Sequence, residues 1–531
     1  MQRTISIFEP FVDGFAGAIE KHKTVFVACY SILFLAICGL TSAVKLMWFD
    51  ELATYYPAKL PTVRALVDFF WDGLDVHTPT ASLLVRGTMH LFGDGPVVDR
   101  LPFSAAYLAF CIFLFIFVAR RCPTGYAAMA MIFPALTPTF YYATEIRCYA
   151  LVLAFTGLAL VSWQAAAEGR TRPLAVVGLF AGLAGTICSH YYGVFLCVPF
   201  AVAELTRTYI RKCVDWAVWA AVALSPSILL IFLPAIRNAA AIYRGHVTPL
   251  TNLDTFLESY RATLNIPKAL ILAASMVCLL AARRMFRAMP TSQLMLPLPE
   301  WVLAGAFFLL PLYIMPVSGF IGAFFARYVL ACTAGGAILM AFFFCQYFQG
   351  SRHIGCALTL IFLVGFFVQR TTELRAMMRD NGGWSKPLGT TLHTASWSRE
   401  LERSSLPIAA VPELFFMKFQ HYASDAVRPR VYYPADEIMA RRYGGFGGGD
   451  LNLLTMSHAL SLQVLSFRDF VSQHPNFLMC VSTGEYTNAW LLHAVLEYGA
   501  DVRLRSQSKP YYLFEVTMPA HDQHKSNDIG K

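Results

Sequence analysis

Two adjacent carboxylates, Asp50 and Glu51, follow Trp48-Phe49 where the first long apolar run of this 531-residue chain ends. Ionisable side chains at the border of a hydrophobic segment are costly to place, so the pair is read first as functional. A carboxylate there suits the removal of a proton from a hydroxyl nucleophile as it attacks. Complementary groups follow. Tyr141-Tyr142-Ala143-Thr144-Glu145-Ile146-Arg147-Cys148-Tyr149 sets an acid, a guanidinium and phenols close together, and His77-Thr78-Pro79, Ser189-His190-Tyr191-Tyr192-Gly193 and Arg327-Tyr328 add imidazoles, further phenols and a second guanidinium. Arginine offers planar paired donors matched to phosphate oxygens. A phosphate leaving group needs positive charge rather than a proton. Aromatic side chains pack against sugar faces or prenyl chains while their hydroxyls stay wet.

The segments between these residues decide where they stand. The chain is 57% hydrophobic and only 14% charged, with a mean hydropathy of +0.52, which makes it an integral membrane protein. Apolar runs at 24–46, 101–119, 125–142, 147–167, 173–189, 191–206, 214–236, 266–282, 299–318, 326–348 and 353–369 predict about eleven spans of the hydrocarbon core. Lipid satisfies no open sheet edge and the runs lack a period of two, so helices are expected. Lys21, Lys23, Arg120, Arg121, Arg170, Arg172, Arg207, Arg211, Lys212, Arg283, Arg284, Arg287 and Arg352 fall on alternate loops, which places those loops in the cytoplasm. Every polar cluster above then faces the exterior, and an odd number of spans sends the tail there as well. Arg237, Arg244 and Arg261 weaken that bias in one exterior loop without reversing it.

Two parts are expected. Residues 1–370 form the membrane domain, including an exterior loop, 48–100, with surface helices over 61–71 and 81–91. Residues 371–531 form an exterior mixed α/β domain: apolar runs at 407–411, 430–433, 476–481 and 511–516 alternate with helical stretches at 412–423 and 487–499. Ile5, Phe8, Phe11, Phe15 and Ile19 predict an interfacial helix over 1–20, and Lys45 and Trp48 mark the first span as an uncleaved anchor. The run Gly444 to Gly449 lacks the strand and helix of a phosphate loop and reads as a flexible connection. The net charge of +9 comes mostly from the cytoplasmic anchors, and no dense basic run suggests nucleic acid. Of 13 cysteines nearly all lie in or beside apolar spans, which implies neither a disulfide nor a zinc framework.

A base, phosphate-binding cations and aromatic platforms at one membrane face fit the movement of a sugar from a phosphate-linked lipid to a hydroxyl acceptor. At these residues the sequence resembles the polytopic GT-C glycosyltransferases of the protein O-mannosyltransferase and aminoarabinose transferase type, which use polyprenyl-phosphate sugars. The resemblance covers residues 24–350. It rests on Trp48-Phe49-Asp50-Glu51, the stretch from His77-Thr78-Pro79 to Phe92-Gly93 with Arg100-Leu101-Pro102, Glu145 to Tyr149, Ser189 to Tyr192 and Arg327-Tyr328. It implies a GT-C-like fold, Asp50 as general base with Glu51 beside it, and Arg147 and Arg327 on the lipid phosphate. Glu145, Tyr149, His190, Tyr191 and His77 complete the candidate donor site. Where relatives often have paired prolines, this chain has His77-Thr78-Pro79-Thr80.

The expected partners are a polyprenyl-phosphate sugar, a hydroxyl acceptor on a lipid, glycan or protein, and the bilayer of a bacterial inner membrane, with the N-terminus cytoplasmic and the tail periplasmic. No cofactor is demanded. A divalent cation held by carboxylate oxygens such as those of Asp50 and Glu51 stays open. Blander readings stand beside these: Asp50-Glu51 as a helix cap, Glu145 and Arg147 as an interfacial ion pair, Tyr191 and Tyr192 as an aromatic belt, and Arg327 as an anchor. Neither His77 nor His190 has a second imidazole at a ligand spacing in sequence. A secondary transporter or a flippase of envelope lipids is the alternative for the whole chain, although such proteins set their charges nearer the midplane.

Overall fold

The computed structural model describes residues 14, 17–243, 252–267, 271, 274–275, 295–321, 324–380, 396–444, 447–482, 490–509 and 511–519. The chain forms two compact units, one of Met1–Ala43, His77–Pro234 and Thr248–Met377, the other of Val44–Val76, Ala235–Val247 and Met378–Lys531.

Uniformly apolar sequence produces helices throughout the described part of the first unit. Seven described helices of the chain are long and apolar enough to cross a membrane, and Leu298–Phe308 with Leu310–Val317, bent by 47°, form either a broken span or a re-entrant loop. Two shorter apolar helices, Thr124–Leu136 and Cys332–Tyr347, take the place of the runs expected at 125–142 and 326–348. Proline explains the first shortening. Pro134 ends the regular ladder within a turn and Pro138 opens a tight turn, Pro138–Thr144, in place of further helix. A similar turn, Ala326–Val329, precedes Cys332–Tyr347 and carries Arg327. The span expected over 266–282 and the interfacial helix over 1–20 lie largely outside the described residues.

Helix Tyr149–Ala167 packs along Arg172–Ser189 and Leu101–Ala119. Lipid supplies no hydrophobic drive between helices, so close approach of small residues does that work. A Cβ on Gly182 would stand 2.7 Å from the Ala159 nitrogen, and one on Gly335 would stand 2.3 Å from that of Phe308. At one end of these helices, basic loop residues close on acids. Arg121 Nε donates to Glu300 at 2.9 Å and its Nη2 lies 2.6 Å from Glu168. Arg207 reaches Glu204 at 2.6 Å and Asp215 at 3.2 Å, while the Trp163 indole donates to Glu204 at 3.0 Å.

The second unit contains a six-stranded sheet: β1 (Ile408–Val411), β2 (Val431–Ala435), β3 (Val464–Ser466), β4 (Asn476–Ser482), β5 (Asp501–Ser508) and β6 (Tyr511–Thr517). The order is β3-β2-β1-β4-β6-β5. The first four strands run parallel, and the β5–β6 hairpin adds antiparallel to β4. All four residues of β1 are buried, as a parallel strand covered on both faces requires. The four strands expected from sequence are present, with β3 and β5 in addition. Gly448 and Gly449 open the helix Gly448–Leu460, so the expected flexible connection is in part regular structure. This unit also holds the helix Phe49–Ala58, which packs on helix Glu413–Tyr422 from the tail.

Candidate active site

The first-unit site is organised by two threonines. Thr78 and Thr80 donate to the carbonyls of Ser189 and Cys188, at 2.8 and 2.5 Å. These are among the last carbonyls of helix Arg172–Ser189, which the helix itself leaves unsatisfied. The stretch His77-Thr78-Pro79-Thr80 is thereby hooked to the helix end, and the His77 ring comes to 5.4 Å from that of His190. The two imidazoles that look solitary in sequence are neighbours in space.

Hydrogen bonding fixes their protonation. Arg147, 4% exposed, donates to His77 Nε2 at 2.9 Å, and the backbone N–H of Tyr192 donates to His190 Nδ1 at 3.1 Å. Guanidinium and amide N–H groups only donate, so each of those ring nitrogens must present a lone pair. Both imidazoles are therefore neutral, with the proton on His77 Nδ1 and on His190 Nε2. Electrostatics agree for His190: burial first, then the positive charges of Arg147 and Arg327, hold its pKa well below the ordinary value.

Tyr149 stands between the two arginines. Its ring centroid lies 5.9 Å from the Arg147 guanidinium carbon and 6.0 Å from that of Arg327, within the range of a cation–π contact. Its buried hydroxyl has no hydrogen-bond partner among the described residues. Tyr328 stacks on Tyr192 at 4.2 Å and lies 5.0 Å from His190. Tyr149, His190, Tyr192, Arg327 and Tyr328 line a recess of about 10 Å³, room for roughly one water. Tyr191 is turned elsewhere: its hydroxyl donates to the His77 carbonyl at 3.3 Å and its ring meets Phe232 at 5.7 Å. Tyr192, which the candidate donor set leaves out in favour of Tyr191, is the phenol on the recess. Glu145 is fully buried and its carbonyl accepts the Arg147 N–H at 2.9 Å.

A far larger cavity, about 760 Å³, is lined by Phe140, Tyr141, Tyr142, Asn265, Gln369 and Arg370, among others. Tyr142 and Tyr149, one on each cavity, meet edge to face at 4.9 Å.

In the second unit, Asp50 and Glu51 occupy the first turn of helix Phe49–Ala58, where the helix dipole favours carboxylates. The N-cap is Trp48, with no side-chain cap bond, so neither acid caps the helix by hydrogen bonding at that position. Glu51 is completely buried, whereas Asp50 is half-buried. The helix is clamped to the tail: the Met47 N–H donates to the Tyr422 hydroxyl at 2.9 Å, Tyr56 and His421 share a hydrogen bond of 3.3 Å, and the Tyr55 ring meets His421 at 5.3 Å. Sequence gave no sign of this clamp, since the partners are hundreds of residues apart. Among the described residues, no group of three or more His, Cys, Asp or Glu is arranged to hold a metal ion.

Neither a family model nor a curated protein matches the sequence. Among solved structures, ArnT from Cupriavidus metallidurans bound to undecaprenyl phosphate is 11% identical, with a TM-score of 0.52 over 93% of this chain and 98% of that one. The apo state of ArnT superposes at 0.41 with the same identity and coverage, too loosely to carry an argument. The lipid-bound form does carry one: over nearly its whole length the chain shares the fold of ArnT, the GT-C-like membrane architecture that its sequence predicts.

Proposed function

We propose that the protein is an inverting membrane glycosyltransferase that moves a sugar from a polyprenyl-phosphate donor to a hydroxyl on a cell-envelope lipid, glycan or protein. The observation that carries this reading is the cluster of Arg147, Arg327, Tyr149, His77 and His190: two guanidiniums about one phenol, with neutral imidazoles, in the fold of a protein crystallised with undecaprenyl phosphate. The active face is periplasmic, on a bacterial inner membrane, with the N-terminus in the cytoplasm.

Asp50 takes the proton of the acceptor hydroxyl as its oxygen attacks the anomeric carbon of the donor. The bond from that carbon to the phosphate oxygen breaks, and its electron pair leaves with polyprenyl phosphate. Attack from the face opposite the leaving group inverts the anomeric centre. Arg147 and Arg327 hold the growing phosphate charge, which is why the leaving group needs no acid. A neutral His77 suits this arrangement: it orients Arg147 by accepting one N–H without cancelling the guanidinium charge. The Tyr149 hydroxyl is placed to donate to the phosphate or the sugar. Glu51, buried beside Asp50, orients the base, and Glu145 steadies the Arg147 segment.

Asp50→Asn, inserted normally in the membrane, should lose about a hundredfold to ten-thousandfold in donor turnover. Wild-type-like turnover in that variant would refute the role of Asp50. A transporter or flippase would instead move lipid or solute across liposomes without consuming a lipid-linked sugar.

A further inference from the structure

The cavity of about 760 Å³ falls within the size range of small-ligand sites, whereas the recess beside it admits about one water. Its walls combine the rings of Phe140, Tyr141 and Tyr142 with the polar groups of Asn265, Gln369 and Arg370. The Arg370 side chain is 6% exposed, lies with its guanidinium 4.3 Å from the centre of the Phe140 ring, and pairs with Glu373 at 2.7 Å. Its positive charge is therefore already neutralised.

Two buried atoms here have no hydrogen-bond partner among the described residues: Arg370 Nε, a donor, and Gln369 Oε1, an acceptor. The Gln369 amide is oriented by its other end, because Nε2 donates to Glu373 at 3.2 Å and a carboxylate can only accept. An unmatched donor next to an unmatched acceptor suits a hydroxyl, which does both. A fully ionised phosphate would satisfy Arg370 Nε and leave Gln369 Oε1 facing another acceptor oxygen.

Resting on the sugar-transfer reading, we infer that this cavity is the acceptor subsite and takes an uncharged, hydroxyl-rich saccharide ring. The aromatic side chains provide a platform for the apolar face of the ring, and Gln369 and Arg370 bind its hydroxyls. Tyr142 on this subsite and Tyr149 on the recess that Arg327 lines are in ring contact at 4.9 Å.

The test uses the full chain in lipid nanodiscs and two probes with the same small alkyl group, methyl β-glucoside and methyl phosphate, titrated by saturation-transfer NMR. The glucoside should bind the wild type more tightly than the phosphate. Gln369→Leu should weaken glucoside binding about tenfold, and Asn265→Leu on another wall should act in the same direction if the first variant does not fold. Glu373→Gln should strengthen methyl phosphate binding about tenfold, because it uncovers the charge of Arg370. The inference is overturned if the phosphate binds the wild type more tightly and Gln369→Leu reduces that binding, which would make the cavity a donor-phosphate site. It is overturned equally if glucoside binding is absent, or is unchanged in both leucine variants. A wild type that binds the glucoside as expected but consumes no polyprenyl-phosphate sugar would sink the transferase reading and leave the chemistry of the cavity standing.

Discussion

The two ends of helix Tyr149–Ala167 put the same side chain to different uses. Just past its last turn, Glu168 takes part in a set where Arg121, Arg170, Arg172 and Arg207 each reach a carboxylate at 3.2 Å or less. Just before its first turn, Arg147 donates to a neutral imidazole, and Arg147 and Arg327 flank the ring of Tyr149. A guanidinium matched to carboxylates is spent on holding helices together. One that donates to an imidazole and lies beside an aromatic face is oriented by those two rings. The difference teaches that counting basic residues at a membrane border separates nothing, while the chemistry of their partners separates a structural end from a functional one.

The largest expected effect is at the structural end. Arg207→Met leaves Glu204 and Asp215 buried without that cation, which should cost about 3–5 kcal/mol. The expected readout is low yield and a lower unfolding temperature, with turnover per folded molecule near wild type. Arg147→Met should do the reverse. Removing one preorganised group that stabilises developing charge typically costs about a hundredfold to a thousandfold in rate, so turnover should collapse while the unfolding temperature holds. If both variants lose stability alike, or both lose turnover alike, the contrast between the two ends is wrong.

A smaller effect sharpens the same comparison through pH. His190 is neutral in the fold, with its pKa lowered by burial and by the neighbouring cations. The unfolded chain therefore binds the proton first. Stability from this group is complete above the ordinary histidine value of about 6.5 and drains away as pH falls below it, toward the folded value. The unfolding temperature of the wild type should drop on passing from pH 7.5 to 5, and His190→Gln should drop less. An equal acid loss in both proteins would remove His190 from the account.

Much of the architecture was legible because composition and periodicity act locally. The spans follow from runs of apolar residues, and β1, β2, β4 and β6 stand out as short apolar runs set between helical stretches. Strand β5 escaped for a physical reason: at the sheet edge, Asp501–Ser508 mixes Val502 and Leu504 with arginine, serine and glutamine, so it reads as a polar loop. Strand β3 is only three residues long. In the site, residue types were legible and partnerships were not. That His77 meets His190 depends on hydroxyls of Thr78 and Thr80 reaching carbonyls more than a hundred positions away. The choice of Tyr192 over Tyr191 depends on the tight turn Tyr191–Leu196, which departs from α-helical periodicity. Arg370 directly follows the apolar run 353–369 in sequence, and only packing against Phe140 and Glu373 gives it a cavity to serve.

The most direct test of the central claim is mass spectrometry of envelope lipids and glycans from a strain lacking this protein, complemented with the wild type or with Asp50→Asn. The account predicts that one sugar disappears from one acceptor, that the matching polyprenyl-phosphate sugar accumulates, and that only the wild type reverses both changes. An unaltered envelope in the deletion strain, or full restoration by Asp50→Asn, would contradict it.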